Sequence, residues 1–191
     1  SVQPIDVQSI LSSTTYLFDK NYEFVHLTGA WARERHIQKQ PLMNGTMQID
    51  SKRVASGHIH SPFLALARPW ATENQGEVYG YSFVYSGNFI MQAETNQQNL
   101  VRVNIGINPF GFHWLLTPGE VFQAPEVVMT FSNSGFGTMS RRFHRIYRQR
   151  LCRGKYRDSE RPVLINNWEA TYYDFDEEKI LNIAKKAHDV G

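Results

Sequence analysis

Cysteine is nearly absent from this sequence of 191 residues, which contains only Cys152. A single cysteine excludes an internal disulfide framework and any zinc site built from several cysteines. Long apolar runs are absent too, since no stretch approaches the ~18 consecutive apolar residues of a membrane-spanning helix. The first residues show no basic segment followed by an apolar one, so we expect no secretory signal and a reducing, cytoplasmic setting.

Charge of one sign is not in excess, because 20 basic and 18 acidic residues leave a formal net charge of +2. This balance argues against a general attraction to nucleic acid or to membrane surfaces. Hydrophobic residues make up 41% of the sequence and aromatic residues 13%, which is enough apolar material for a folded core. Because aromatic rings suit a pleated, half-buried surface, the composition favours β-strands.

Short runs rich in Val, Ile, Phe, Tyr and Thr fill residues 15–131, and turn residues such as Asn44-Gly45 interrupt them. Gly and Asn mark turns because they tolerate positive φ. The runs predict antiparallel strands at 22–28, 31–37, 63–68, 78–85, 89–94, 101–107 and 126–131. Seven or more strands without an intervening helix indicate a β-sandwich over residues 1–134.

The pattern changes after Ser134, where apolar residues begin to recur at intervals of three and four. They are Phe136, Met139, Phe143, Ile146, Tyr147 and Leu151. This spacing predicts an amphipathic helix over 135–153, ended by Gly154. The helix and its polar connector, residues 135–160, are expected to link two domains.

A short apolar run at 162–166 predicts a parallel strand buried on both faces. The acids at 176–178 then predict the N-terminal, positive end of a helix, and the apolar residues that follow them form one side of it. Residues 161–191 therefore resemble one βα unit. Since one unit cannot bury both faces of its own strand, we expect a βα domain to begin here and to continue beyond it.

Two short patterns have both a functional and a structural interpretation. His58 and His60 alternate, so one strand face could present both imidazoles to a metal, although nothing nearby completes the ligand set; a polar strand face is the alternative. The backbone amides of Gly135-Phe136-Gly137 could cradle a phosphate, but the Lys and Ser/Thr of a P-loop are missing and a turn is the alternative.

The stretch 141–157 contains eight Lys or Arg residues and no acid, which makes an RNA-binding arm one interpretation. Its aromatics Phe143 and Tyr147 lie on the apolar stripe, however, where burial would prevent them from stacking on bases. A solvated basic face is the alternative. Cys152 could be a thiolate activated by these cations, whereas its place beside Leu151 predicts a packed thiol.

The segment 166–175, Asn-Asn-Trp-Glu-Ala-Thr-Tyr-Tyr-Asp-Phe, follows the predicted parallel strand. βα-barrel enzymes hold their ligand-contacting residues at this end of a strand. Trp168 lies there between polar neighbours, so its ring could stack on a pyranose while nearby amides bond the hydroxyls. A Trp that closes one end of a barrel is the alternative.

Residues 161–175 resemble the entry to the catalytic barrel of the microbial family 36 glycoside hydrolases, the large α-galactosidases. Other stretches resemble the same family in the same order, and the similarity extends over nearly all of the chain from about Tyr22. They are 29–36 (Gly-Ala-Trp-Ala-Arg-Glu-Arg-His), 61–68, 76–80 with 85–89, 105–110 and 125–128.

This resemblance implies an internal fragment of a longer, mainly β protein. It implies an antiparallel β-supersandwich fragment, a linking helix and the first βα unit of a (β/α)8 barrel over 161–191. It also implies retaining hydrolysis of terminal α-galactosides such as melibiose and raffinose by two carboxylates, with no metal or other cofactor. In the family both carboxylates lie on later barrel strands, so no catalytic residue is expected here and the fragment itself is expected to be inactive.

The resemblance also assigns two substrate-binding residues. Trp168 resembles the pocket Trp of the family, and Trp31 resembles a sandwich-domain Trp that reaches the pocket of a neighbouring subunit in tetrameric members. The implied partner is a small galactoside, with no nucleic acid and no membrane, and the parent is expected to be a homo-oligomer such as a tetramer. The residues leave open an alternative function, a non-catalytic β-sandwich module that binds carbohydrate or another protein.

Overall fold

The computed structural model describes residues 2–191 and divides into two compact units between Tyr147 and Arg148. Within these residues the strands are β1 (Ile5–Val7), β2 (Ile10–Leu17), β3 (Glu23–Ala30), β4 (Arg33–Pro41), β5 (Gly45–Asp50), β6 (His60–Ala67), β7 (Val78–Val84), β8 (Phe89–Thr95), β9 (Val101–Ile107), β10 (Trp114–Leu116) and β11 (Glu126–Ser132). They are followed by helix α1 (Gly135–Ile146), a π-helical turn (Tyr147–Leu151), the short helix α2 (Trp168–Thr171) and helix α3 (Glu177–Val190).

Two antiparallel sheets build the first unit, with strand orders β2-β9-β8-β5 and β11-β7-β6-β3-β4. Strands β1 and β10 pair separately as a two-stranded antiparallel ribbon. The predicted mainly β, antiparallel architecture is therefore confirmed. The seven predicted strands are present close to the predicted bounds, whereas β1, β2, β5 and β10 were not predicted.

The main core joins side chains of both large sheets. On β8, Phe89, Met91 and Ala93 are fully buried and the residues between them are partly exposed, which is the period-two pattern of a strand with one face in the core. Phe24 of β3 and Tyr81 of β7 meet them from the other sheet. Burial raises the pKa of the Tyr81 hydroxyl to about 12, because desolvation disfavours the phenolate.

Helix α1 packs against β7 and β11 on the other face of the five-stranded sheet. Met139 and Phe143 are buried there together with Val25 and Ala65, which confirms the predicted apolar stripe at these positions. Gly80 of β7 permits the close approach, since a Cβ at this position would lie 2.7 Å from Phe143 Cε2 and 2.8 Å from Met139 Sδ.

The helix does not continue as an α-helix to residue 153, because a π-helical turn follows Ile146. A π turn contains more residues than an α turn, so later side chains no longer continue the apolar stripe. Leu151 is 52% exposed and Cys152 is exposed as well. The prediction of a packed thiol at Cys152 is therefore wrong.

In the second unit, helix α3 begins where the sequence predicts it. Asp176 is its N-cap, and its carboxylate accepts a hydrogen bond from the backbone N–H of Lys179 at 2.8 Å. Glu177 and Glu178 occupy the first turn, where acids interact favourably with the helix dipole. None of the helices in residues 2–191 is long and apolar enough to cross a bilayer.

The parallel strand predicted at 162–166 is not formed in this chain. Residues 161–167 have no regular secondary structure, and Val163 and Leu164 are 91% and 88% exposed. A parallel strand requires neighbouring strands for its hydrogen bonds and covering helices for its faces. Residues 148–191 supply no such neighbouring strand, which explains the difference.

Candidate functional site

Trp168 is the first residue of helix α2, and the amides before it fix this single helical turn. The side-chain oxygen of Asn166 accepts a hydrogen bond from the Trp168 N–H at 2.9 Å. The Asn167 side chain donates to the Thr171 hydroxyl at 2.8 Å, and this hydroxyl donates to the Asn167 carbonyl at 3.1 Å. The polar residues of the segment therefore position the backbone that carries the indole.

The indole of Trp168 is 43% exposed and belongs to an aromatic cluster. Its centroid lies 5.6 Å from the Tyr172 ring and 4.9 Å from the Tyr173 ring, with interplanar angles of 75° and 87°. T-shaped contacts of this kind orient an aromatic ring. The cluster thus holds an indole with accessible apolar surface, on which the apolar face of a pyranose can stack.

Of the two acids next to this cluster, Asp174 has a structural partner. Its carboxylate accepts a hydrogen bond from Lys179 Nζ at 2.7 Å, and the same ammonium donates to the Asp174 carbonyl at 3.2 Å. The bond to the carboxylate raises the pKa of Lys179. Glu169 is exposed in the first turn of α2. Asp174 is therefore engaged in joining the loop to helix α3.

Trp31 lies in the turn of the β3–β4 hairpin. The predicted strand at 31–37 is therefore wrong at its first two residues. Register pairs Ala30 with Arg33, so Trp31 and Ala32 form a two-residue turn in which Ala32 has a φ of 59°. The Trp31 side chain is 89% exposed. Exposed Trp residues are frequent anchors of binding interfaces. Trp31 and Trp168 belong to different compact units.

The two predicted histidines do not share a strand face, because β6 begins at His60 and His58 lies in the preceding loop. His60 instead faces His26 of β3, with ring centroids 5.8 Å apart. Each ring has a buried Nδ1 without a hydrogen-bond partner in the described structure. Burial lowers the pKa of both imidazoles. Residues 2–191 contain no group of three His, Cys, Asp or Glu side chains that could hold a metal ion.

The glycine motif before helix α1 forms a turn whose backbone amides are already bonded. The N–H groups of residues 135–137 donate to the carbonyls of Gly76, Thr72 and Glu73 at 2.9, 3.0 and 2.9 Å. Gly135 has a φ of 76°, and a Cβ there would lie 2.3 Å from the Thr72 carbonyl oxygen. These contacts support the structural interpretation over the phosphate cradle.

The aromatics of the basic helix pack on the sheet. Phe143 is 4% exposed and stacks on Tyr147 at 5.8 Å with an interplanar angle of 18°. The Tyr147 hydroxyl donates to Ser82 Oγ at 2.6 Å. Rings held in this way cannot stack on bases, so the contacts support a solvated basic face.

Two family models match this chain in succession, and the second begins before the last strand of the sandwich. Residues 1–117 match the model of the glycosyl hydrolase family 36 N-terminal domain, and residues 121–191 match the model of melibiase. The first match covers more than half of the chain. The chain therefore belongs to glycosyl hydrolase family 36.

The curated relatives are named as α-galactosidases. AgaA of Geobacillus stearothermophilus is 57% identical over 171 residues, which cover 90% of this chain and 24% of AgaA. Probable α-galactosidase G of Aspergillus terreus is 42% identical over 189 residues, which cover 99% of this chain and 26% of that protein.

A crystal structure of AgaA matches with a TM-score of 0.89 and 53% identity, over 98% of this chain and 26% of AgaA. Crystal structures of AgaA variants are complexes with raffinose and with stachyose. This chain spans about a quarter of the length of these relatives.

Proposed function

We propose that this chain is part of an α-galactosidase that removes terminal α-galactose from saccharides of the melibiose and raffinose type. The observation that carries the proposal is the half-exposed Trp168 cluster, which lies in the segment that matches the melibiase model. The relationship to AgaA, which is named an α-galactosidase and has variants crystallised with raffinose, supports the choice of substrate.

Retaining hydrolysis needs two carboxyl groups about 5–5.5 Å apart, one as nucleophile and one as acid and base. We infer that both belong to parts of the whole protein outside these 191 residues, because the family resemblance puts them on later barrel strands and neither Glu169 nor Asp174 matches its catalytic motifs. The role of Trp168 is then binding: its ring covers the apolar face of the galactose and excludes water from that side. The reaction requires no cofactor in this scheme.

Residues 161–191 are, in this proposal, the first strand and helix of a (β/α)8 barrel. The exposed apolar side chains of Val163, Leu164 and Leu181 support this assignment. In a closed barrel, neighbouring strands and helices bury such residues. The sandwich over 1–134 and the linking segment over 135–160 complete the proposed division into domains.

Trp31 has a second proposed role, in which the hairpin tip reaches the saccharide pocket of a neighbouring subunit in a homo-oligomer such as a tetramer. Its 89% exposure at the end of a two-residue turn supports this role, because such a ring is available to another subunit. The lone, exposed Cys152 agrees with a reducing cytoplasmic location, which we also propose.

Activity of the full-length protein and of the 191-residue chain on an aryl α-galactoside tests this function. We expect turnover by the full-length protein alone, because the chain lacks the catalytic pair. Turnover that follows the pure 191-residue chain through chromatography would refute the placement of the carboxylates. An inactive but folded full-length protein would refute the activity itself.

A further inference from the structure

The outer face of the four-stranded sheet is a polar surface of the first compact unit, whereas the Trp168 cluster belongs to the second unit. Strand register arranges its side chains in two rows across the sheet. The first row is Tyr16, Arg102, Glu94 and Thr46, and the second row is Thr14, Asn104, Gln92 and Gln48. We call these eight residues the polar sheet face.

The polar sheet face consists mainly of uncharged groups that form hydrogen bonds. It contains three amides, two threonine hydroxyls and one tyrosine. Its two charged residues, Arg102 and Glu94, pair with each other, so the face is neutral as a whole. Amides and hydroxyls both donate and accept hydrogen bonds. A face with these properties complements a neutral ligand with many hydroxyl groups.

A groove of about 220 Å³ opens on the first row and is lined by Tyr16, Glu94, Asn96, Leu100 and Arg102. The Tyr16 side chain is half exposed, so its ring offers apolar surface beside the polar groups. Asn96 Oδ1 accepts hydrogen bonds from the backbone N–H groups of Gln98 and Leu100, both at 2.9 Å. These bonds fix the Asn96 side chain and make its NH₂ the group that it can offer to a ligand.

The second row extends this surface along the strands. Thr14 donates its hydroxyl hydrogen to Asn104 Oδ1 at 2.9 Å, and Asn104 is only 4% exposed, so it positions the exposed Thr14 and offers no surface of its own. Gln92 and Gln48 continue the row across β8 and β5. Successive rows on one face of a sheet lie about 7 Å apart, since they are two residues apart along each strand. The second row can therefore contact a unit next to a sugar held in the groove.

We propose that the polar sheet face is a non-catalytic binding site for neutral oligosaccharides. Tyr16 stacks on one sugar ring in the groove, and the side chains of Arg102, Glu94 and Asn96 bond its hydroxyls. The accessible side chains of the second row, Thr14, Gln92 and Gln48, contact an adjoining sugar. The choice of an α-galactoside as the first probe rests on the proposed function, whereas the site itself does not.

Titration of the 191-residue chain with raffinose, followed by calorimetry and by amide NMR shifts, tests the proposal. We expect saturable binding with shifts in strands β2, β8 and β9. Tyr16→Ala should weaken binding about tenfold or more, because it removes the stacking ring. Tyr156→Ala is the matched control: it removes a 62% exposed tyrosine outside the face and should leave the affinity unchanged.

Glu94→Gln provides a second variant that keeps the shape of the side chain, and it should also weaken binding. Maltotriose provides a second neutral probe: binding to both sugars at the same amides supports the site and shows that it does not select galactosides. Failure of both sugars to bind saturably, equal effects of the two tyrosine variants, or shifts confined to residues 166–175 would overturn the proposal. None of these outcomes bears on hydrolysis of an aryl α-galactoside by the full-length protein, so the proposed function and the proposed binding site can fail separately.

Discussion

The approach of helix α1 to strand β7 can be tested at Gly80. A Cβ at this position would lie 2.7 Å from Phe143 Cε2 and 2.9 Å from Met139 Cγ, so these side chains would have to move. Overpacking a core costs about 1–3 kcal/mol, whereas alanine recovers about 0.5–1 kcal/mol relative to glycine within a strand. We therefore expect Gly80→Ala to lower the free energy of unfolding by roughly 1–2 kcal/mol.

Phe143→Leu shows whether this cost comes from the predicted contact. Alone it should destabilise by about 1 kcal/mol, because Phe143 is buried and its smaller replacement fills the site incompletely. Combined with Gly80→Ala it makes room for the new methyl group, so the double variant should be about 1 kcal/mol more stable than the two losses added together. Urea unfolding of the four proteins, followed by circular dichroism, measures this coupling. Losses that add within about 0.5 kcal/mol would refute the close contact.

Two further predictions concern the glycine turn and the histidine pair. Gly135→Ala should destabilise the protein by about 2 kcal/mol or more in thermal unfolding, because Gly135 has a φ of 76° and a Cβ there would contact a carbonyl oxygen. The control Arg145→Ala, on the exposed side of the same helix, should have little effect. Equal effects of the two variants would contradict the strained turn. Burial lowers the pKa of His26 and His60 below the ordinary 6.5, so the unfolded chain binds more protons below that pH and stability should fall as the pH drops from 7 to 5. Replacing both histidines with glutamine should reduce this slope in urea unfolding, and an unchanged slope would contradict the prediction.

A strand could be predicted from the sequence where apolar and polar residues alternate along it. Strand β8 alternates clearly between buried and exposed residues, and its bounds were predicted within one residue. Strand β2 contains the run Ser-Ser-Thr-Thr and shows no such alternation, and it was missed. It forms because β9 offers it a full edge of hydrogen-bonding groups. The run at 162–166 is the opposite case: its residues are apolar and were predicted as a strand, but without neighbouring strands they have no regular secondary structure.

In the candidate site, too, contacts between residues close in sequence could be predicted, and contacts that depend on strand pairing could not. Trp168 and its tyrosines lie within a few residues of one another, so their cluster could be anticipated from a local segment. The contact between His26 and His60 depends on the pairing of β3 with β6, and the polar sheet face depends on the register of four strands. No local pattern in a single sequence reveals such register. The turn at Trp31 and Ala32 was missed because it has no glycine or asparagine to mark it.

The proposal that Trp168 binds galactose in an α-galactosidase is tested most directly by Trp168→Ala in the full-length protein. Thermal unfolding and steady-state kinetics on the same preparation give the answer. We predict a nearly unchanged Tm and a kcat/KM lowered by about one to three orders of magnitude, which corresponds to roughly 1.4–4 kcal/mol of transition-state stabilisation. A Trp that served only packing would instead cost about 3–5 kcal/mol of stability. A large fall in Tm with unchanged kcat/KM per folded molecule would contradict the claim.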